Sequence, residues 1–395
     1  MTTHRRDLLA AGAAFALPGR LALPFRRHKA MPGCHGRAAY GGGPLRAQLA
    51  PADFDAAAKA GAGRATPLAS DDLDARLEKA ARAKKSLAFT AAIARSDRVV
   101  WTQTGTTAGA PPSPAAFEWP GLADAFLATA ILQLVEEGKL ALDAPLERWA
   151  PEIRTARWLT IEDLLSHTTG LADPVPPATA PTAAYCPGAG WAETPIDYRL
   201  LARILAAVDG RPVREALSHR IVEALELKET TIPADPTGEP IAASSVDVVR
   251  FWRAVLGGGL GGPDITRHRF LRLYPMTAEP ARAHWGLGAM VSDLAADGSN
   301  PADVWLGLSG SRPGASSAVA YSVRKRAFAA VALTGAGSAE EVIDLLLLGV
   351  QADPNHVDLA APAPAPVRRP KRRRKTVKSA TTKPAAVTPP PPRRP

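Results

Sequence analysis

Ser322 and Lys325 stand three residues apart, the spacing at which a lysine amine can take the proton of a serine nucleophile. That chemistry needs both side chains on one helical face, one turn apart. The run "AVAYSVRKRAFAAVALTG" reads instead as a strand hairpin, so Ser322 and Lys325 fall at its turn and their spacing reads as chance. Ser166-His167 in "LLSHTTGL" puts a hydroxyl beside an imidazole, but neighbours in sequence seldom face each other productively. Ser309 and Ser311 have no base near them in sequence. "TGAGSAEE" from Thr334 follows a strand and opens a helix as a dinucleotide loop does. It lacks the third small residue and any following parallel-strand unit. The eight histidines form no H-x-x-H pair, and Cys34 and Cys186 make neither a metal cage nor a disulfide framework. No metal and no cofactor are expected.

The elements that would position such residues are legible between about Asp71 and Asp353. "SDDLDARLEKAARAKK" has a capping Ser70 and helical apolar spacing. "LAFTAAIARSDRVVWTQTG" reads as two strands around Ser96-Asp97-Arg98. From Ala123 to Glu137, Phe126, Leu127, Ala130, Ile131, Leu134 and Val135 recur at helical spacing, and Gly138 stops the helix. Helical segments continue to about Leu227, and Ser245 to Leu256 forms another helix capped by Ser244 or Ser245. After the late hairpin, "SAEEVIDLLLLGV" reads as a closing helix. Asp143 and Asp163 fit solvated or capping roles, and Trp119, Trp149, Trp158, Trp252 and Trp285 fit packing. The order helix, strands, helical middle, strands, helix predicts an α+β sandwich: a sheet formed by both chain ends, flanked by helices, with an inserted helical domain.

"AFLATAILQLVEEGKLALDAPLERWAPEI", "LTIEDLLSHTTGL" and "YCPGAGWAETPIDYRLLARILAAVDGRPVREALSHRIVEALELKET" resemble the serine beta-lactamase and penicillin-binding-protein superfamily. The resemblance is to its class C beta-lactamase, D-alanyl-D-alanine carboxypeptidase and esterase branch. "AASSVDVVRFWRAVLGGG", "HWGLG" and "GLSGSRPGASSAVAYSV" continue it in order, over about Leu73 to Gly349. It implies a beta-lactamase/transpeptidase-like fold: an antiparallel sheet with helices on both faces and an all-helical subdomain. It also implies a serine at a helix start with a lysine three residues on, a Tyr-x-Asn element, and a Lys- or His-x-Gly strand.

By that resemblance the serine position falls on Gly121 and the lysine position on Asp124. The tyrosine and asparagine positions fall on Glu193 and Pro195, and the strand cation falls on Leu308, with Gly310 keeping the glycine. Five replacements in register across three motifs imply a pseudoenzyme. Its vestigial cleft would bind a peptidoglycan-like or small ligand, or a protein partner. The family carries "LLSHTTGL" as a structural turn. The alternative is a hydrolase of this family with altered catalytic residues, in which Asp124 and Glu193 act as an acid/base pair on water. Two carboxylates in one pocket repel, so one is expected to keep its proton. The pocket is expected to be either closed by Arg312 as counter-charge or open to a cationic ligand group such as an amine, the alternative being that both side chains swing out to solvent.

The ends differ from the middle. Residues 1–37 carry seven Lys/Arg and one Asp, and after Asp358 come eleven Lys/Arg and no acid, so the segment between is acidic although the chain carries +10. That placement argues against specific nucleic-acid binding by the folded part. "THRRDLLAAGAAFALPG" has paired Arg5-Arg6 before a short apolar run and resembles a twin-arginine signal, implying a periplasmic or secreted protein. The expected organisation is a signal peptide at 1–19, an irregular linker at 20–66, and a beta-lactamase-related domain at 67–353 with its helical subdomain at about 121–230. A Pro-rich basic tail at 354–395 is expected to be disordered and able to tether an anionic polymer.

Overall fold

A computed structural model describes residues 31, 33–34, 70–95, 98–107, 112–113, 117–172, 185–277, 282–293 and 304–350. The expected signal and tail, and nearly all of the linker, lie outside the described residues. The chain runs α1 (Ser70–Ala83), β1 (Ser86–Arg95), β2 (Arg98–Thr106), β3 (Glu118–Trp119) and α2 (Leu122–Glu136). The helical middle contains α3 (Ile161–Leu165), α4 (Pro195–Asp209) and α5 (Val213–Leu217), the last continued by a π-helical turn at Ser218–Glu223. Then come β4 (Thr230–Thr231), β5 (Ile241–Ala243), α6 (Ser245–Leu256), α7 (Pro263–His268), β6 (Tyr274–Pro275), β7 (Ala283–Trp285) and β8 (Met290–Asp293). β9 (Val304–Arg312), β10 (Ala315–Ser322), β11 (Ala327–Gly335) and α8 (Ala339–Gly349) complete the described chain.

The main sheet has eight antiparallel strands in the order β2-β1-β11-β10-β9-β8-β7-β6, so its first and last strands in sequence, β1 and β11, pair next to one edge. Strand side chains alternate between faces. On β1, Phe89, Ala91 and Ile93 pack with Leu73 and Leu77 of α1 and with Val342, Ile343 and Leu346 of α8. Ala88, Ala92 and Ala94 belong to the other core, with Phe126 of α2 and Phe251 and Trp252 of α6. Because both faces are covered, β1 reads as a nearly continuous apolar run. A second, three-stranded sheet (β3-β5-β4) is tied down by Trp119, whose Nε1 donates to Ala243 O at 2.8 Å. Ser244 caps α6 by accepting from Asp247 N.

α2 is buried nearly all round, which is the pattern of a central helix. That burial places its first turn at the edge of β9, where the site lies.

One expectation is corrected. Cys34 and Cys186 form a disulfide with Cα atoms 5.6 Å apart. Their separation of 152 residues gave no local signal; folding brings them together. The protein unfolded without reductant should therefore titrate no thiols, and two after reduction. Two reactive thiols before reduction would contradict the bond.

Candidate functional site

Gly121 begins α2 with φ +83°, in the left-handed region that glycine adopts without steric cost. A side chain there would project toward Ser309 O at 3.4 Å and toward Gly310 Cα and Leu308 Cδ2 at 3.6 Å. Gly310 is required by this approach, since a Cβ on it would run into the Pro120 carbonyl and lie 2.9 Å from Gly121 N. Ser317 on β10 fastens the corner by donating to Pro120 O at 2.8 Å. The helix start and the strand edge thus meet backbone to backbone, where the resemblance places a serine.

Asp124 sits in the first turn of α2, its N–H donating to Gly121 O at 3.1 Å. It is half-buried, and its side chain makes no hydrogen bond among the described residues. Burial pushes its carboxyl up to about 7, His167 partly opposes this, and Glu193 adds to it. Desolvation, more than repulsion between the two carboxylates, therefore keeps the proton on Asp124. Glu193 itself is exposed on the rim, and Pro195 is exposed at the start of α4.

His167 is the residue that sequence reasoning set aside as part of a turn. It follows α3 in the left-handed region, at φ +54°. Its carbonyl accepts from Ala192 N at 3.1 Å and from Tyr185 Oη at 3.4 Å, while Thr168 O accepts from Gly188 N. The segment 185–192, anchored at Cys186 by the disulfide, is thereby laid along it. His167 Nδ1 lies 3.0 Å from Asp197 Oδ2, and Thr169 Oγ1 donates to Asp197 Oδ1 at 2.7 Å. An Asp197 carboxylate accepting both bonds makes Nδ1 the donor. Nε2 has no partner among the described residues, although the His167 side chain is only 2% exposed. Burial raises the Asp197 carboxyl above its ordinary value, against those hydrogen bonds. Trp191, Tyr198 and Trp285 surround the imidazole with ring centroids at 6.3, 4.8 and 5.4 Å.

Deeper, Tyr198 Oη donates to Leu165 O at 3.2 Å, and burial and then Asp124 push its phenol well above the ordinary range. Arg269, also buried, donates to Leu287 O at 3.1 Å and to Thr129 Oγ1 at 2.7 Å, and burial lowers it to about 10.

Arg312 does not close the carboxylate pocket, contrary to expectation; it lies 3.6 Å from Glu118, both half-exposed, because its place at the end of β9 carries it past Gly310. The charge that opposes Asp124 is His167. Leu308 is buried and puts an apolar wall where a strand cation was sought. Ser166 Oγ donates to Glu162 O at 2.7 Å and pairs with Thr168, away from catalysis. Ser309 Oγ donates to Glu340 at 3.1 Å. Ser322 Oγ accepts from Lys325 N in the β10–β11 turn. Asp163 completes a capping box with Thr160. No local signal singles out Asp197: thirty residues separate it from His167, and only the packing of α4 on the turn joins them.

An antiparallel sheet covered on both faces, with the start of a buried central helix packed against its strand β9, defines a beta-lactamase/transpeptidase-like fold. The Beta-lactamase family profile matches residues 73–352, and the protein belongs to that family. Esterase EstB of Burkholderia gladioli is 34% identical over 110 residues, 25% of this chain and 28% of the esterase. The putative penicillin-binding protein PbpX of Bacillus subtilis is 31% identical over 109 residues, again 25% and 28% of the two chains. The matched part is thus about a quarter of each relative. Among solved structures, a D-stereospecific amidohydrolase from Streptomyces superposes with a TM-score of 0.60 at 23% identity, covering 70% of this chain and 99% of its own. A penicillin-binding protein from Bacillus halodurans gives 0.57 at 17%, covering 69% and 99%. These likenesses establish the fold.

Proposed function

We propose that this protein is a non-catalytic member of the Beta-lactamase family that binds a small or cell-wall-like ligand in the cleft at the start of α2. The observation that carries the reading is Gly121: the left-handed corner against Ser309 and Gly310 offers no hydroxyl. Neighbouring hydroxyls do not substitute, since Ser317 donates to Pro120 O and Ser309 to Glu340. Asp124 supplies a carboxyl where an amine would take the nucleophile's proton, and Leu308 supplies no cation.

A second reading, a hydrolase with altered residues, is favoured by Asp124 holding a proton to about pH 7 beside His167. The related esterase and amidohydrolase make hydrolysis a natural class to test. Export through the Arg5-Arg6 segment is part of the proposal, supported by the Cys34–Cys186 bond, since disulfides persist in oxidising compartments. The basic tail after Asp358 would tether anionic polymer.

Intact mass spectrometry after incubation with a labelled penicillin tests the reading. No adduct is expected on the wild-type chain, nor on Gly121→Ser, because a serine there meets a carboxyl and an apolar wall. A stable acyl adduct on the wild type overturns it. Turnover of a nitrophenyl ester without an adduct, abolished in Asp124→Asn, would favour the second reading.

A further inference from the structure

Cys186 lies within the span that the family profile matches, residues 73–352, whereas Cys34 precedes it. The disulfide therefore ties the folded domain to a segment outside that domain. Neither cysteine belongs to the two cores, which are built from α1 onward. The sheet and its helices thus pack without help from the bond, and what it holds is local.

One half of the bond sits in a turn closed by Cys34 N donating to Met31 O at 3.0 Å, with Met31 and Cys34 half-buried. The other half sits in the strap 185–192, which crosses the His167 turn outside any helix or strand. Gly188 N donates to Thr168 O at 2.9 Å, Ala192 N to His167 O at 3.1 Å, and Tyr185 Oη to His167 O at 3.4 Å. Of the strap residues only Gly188 is buried. A segment with few buried contacts and partly exposed backbone hydrogen bonds opens at low cost in free energy. The later end of the strap is secured by α4, which starts at Pro195, and by the Trp191 ring, 6.3 Å from the rings of His167 and Trp285. Its earlier end is secured by the long Tyr185 bond and by the cross-link at Cys186.

We propose that the Cys34–Cys186 bond is a redox-operated latch, which in its oxidised form holds the Met31–Cys34 turn and the strap 185–192 together over the His167 turn. Reduction frees both segments and leaves the domain folded. Both cysteines are partly exposed, so a small dithiol reaches the bond. A thiolate of the dithiol attacks one sulfur, and the other cysteine leaves as a thiolate and takes a proton. The second thiol then closes the reductant into a cyclic disulfide and releases the first cysteine. Two electrons and two protons pass from the dithiol to the protein, and a disulfide-bearing oxidant reverses the step. For an exported chain, passage into an oxidising compartment would close the latch on an already folded domain. The inference stands whether the family site binds or catalyses.

The test is hydrogen exchange, read by mass spectrometry, on the full chain as oxidised, after reduction with dithiothreitol, and after reoxidation. Peptides covering 185–192 should exchange about 10-fold faster or more in the reduced protein, the scale of a local opening. Peptides from α2 and β11 should keep their protection, and reoxidation should restore the strap. Cys34→Ser, which keeps the whole strap sequence, should match the reduced protein. Equal protection of the strap in both redox states would overturn the latch. Joint loss of protection in the strap, α2 and β11 would overturn it too, by making the bond a staple of the whole domain. A bond that dithiothreitol reduces only in denaturant would overturn it by showing that a dithiol cannot reach it in the folded protein.

Discussion

Asp124→Asn should raise the unfolding temperature at pH 8 and leave it almost unchanged at pH 4. The aspartate titrates near 3.8 in the unfolded chain and near 7 in the native protein. Between those values the native state holds a proton that the unfolded state has released, so stability falls as pH rises through this window and is constant above it. A tenfold change in proton affinity is worth about 1.4 kcal/mol, so a rise of this size has a ceiling of about 4 kcal/mol. Water reaches the half-buried carboxyl and screens it, so an effect of about 1–2 kcal/mol is expected. That corresponds to a rise of about 3–6 °C. His167 and Tyr198 also face this carboxyl and Glu193 acts on it from the rim, so the comparison needs both pH values on both proteins. An equal shift at the two pH values, or a loss of stability at pH 8, would falsify the assignment of Asp124 as a strained buried acid. A gain would fit a residue retained for binding at the expense of stability.

Gly310→Ala should be among the most damaging single-methyl changes in the site. Its Cβ would meet the backbone of Pro120 and Gly121, which cannot swing aside as a side chain can. β9 must then move off the start of α2, at an expected cost of about 3 kcal/mol and a fall of about 6–12 °C. Gly314→Ala, in the adjoining β9–β10 turn, is the control. Gly314 has φ +84° but open space around its Cβ position, so it should cost only the left-handed strain of about 1–2 kcal/mol. Thermal unfolding of both variants decides the matter. A Gly314 variant as unstable as the Gly310 variant would mean that backbone strain, and not the contact between strand and helix, sets the requirement.

Local patterning carried much of the fold. The apolar spacing of Ala123–Glu137, the near-continuous apolar run of β1, the β10–β11 hairpin and the Ser-capped α6 and α8 all lie where periodicity and caps place them. Those signals act within a few residues, and the two-sided burial that enforces them leaves its mark on composition. The short strands β6, β7 and β8 went unread because two to four residues are too few to show a period. By the family resemblance, the positions of the catalytic groups fall in order on Gly121, Asp124, Glu193, Pro195 and Leu308. The resemblance assigns Gly121 and Asp124 to those positions, and three residues along one helix then fix their mutual geometry.

What lies around Asp124 was decided by tertiary structure alone. His167 and Asp197 are thirty residues apart, and their contact depends on the left-handed turn at His167 and on the packing of α4 against it. Arg312 is two residues from Gly310 in sequence, yet the strand carries its side chain to Glu118 instead of into the cleft. Cys34 and Cys186 become neighbours across 152 residues. Charge, hydrogen bonding and disulfide pairing act through space over a few ångströms, and a linear pattern records distance along the chain. The residue types present were therefore readable in advance, whereas the partner each one meets was set by which helix and strand ends the core brings together.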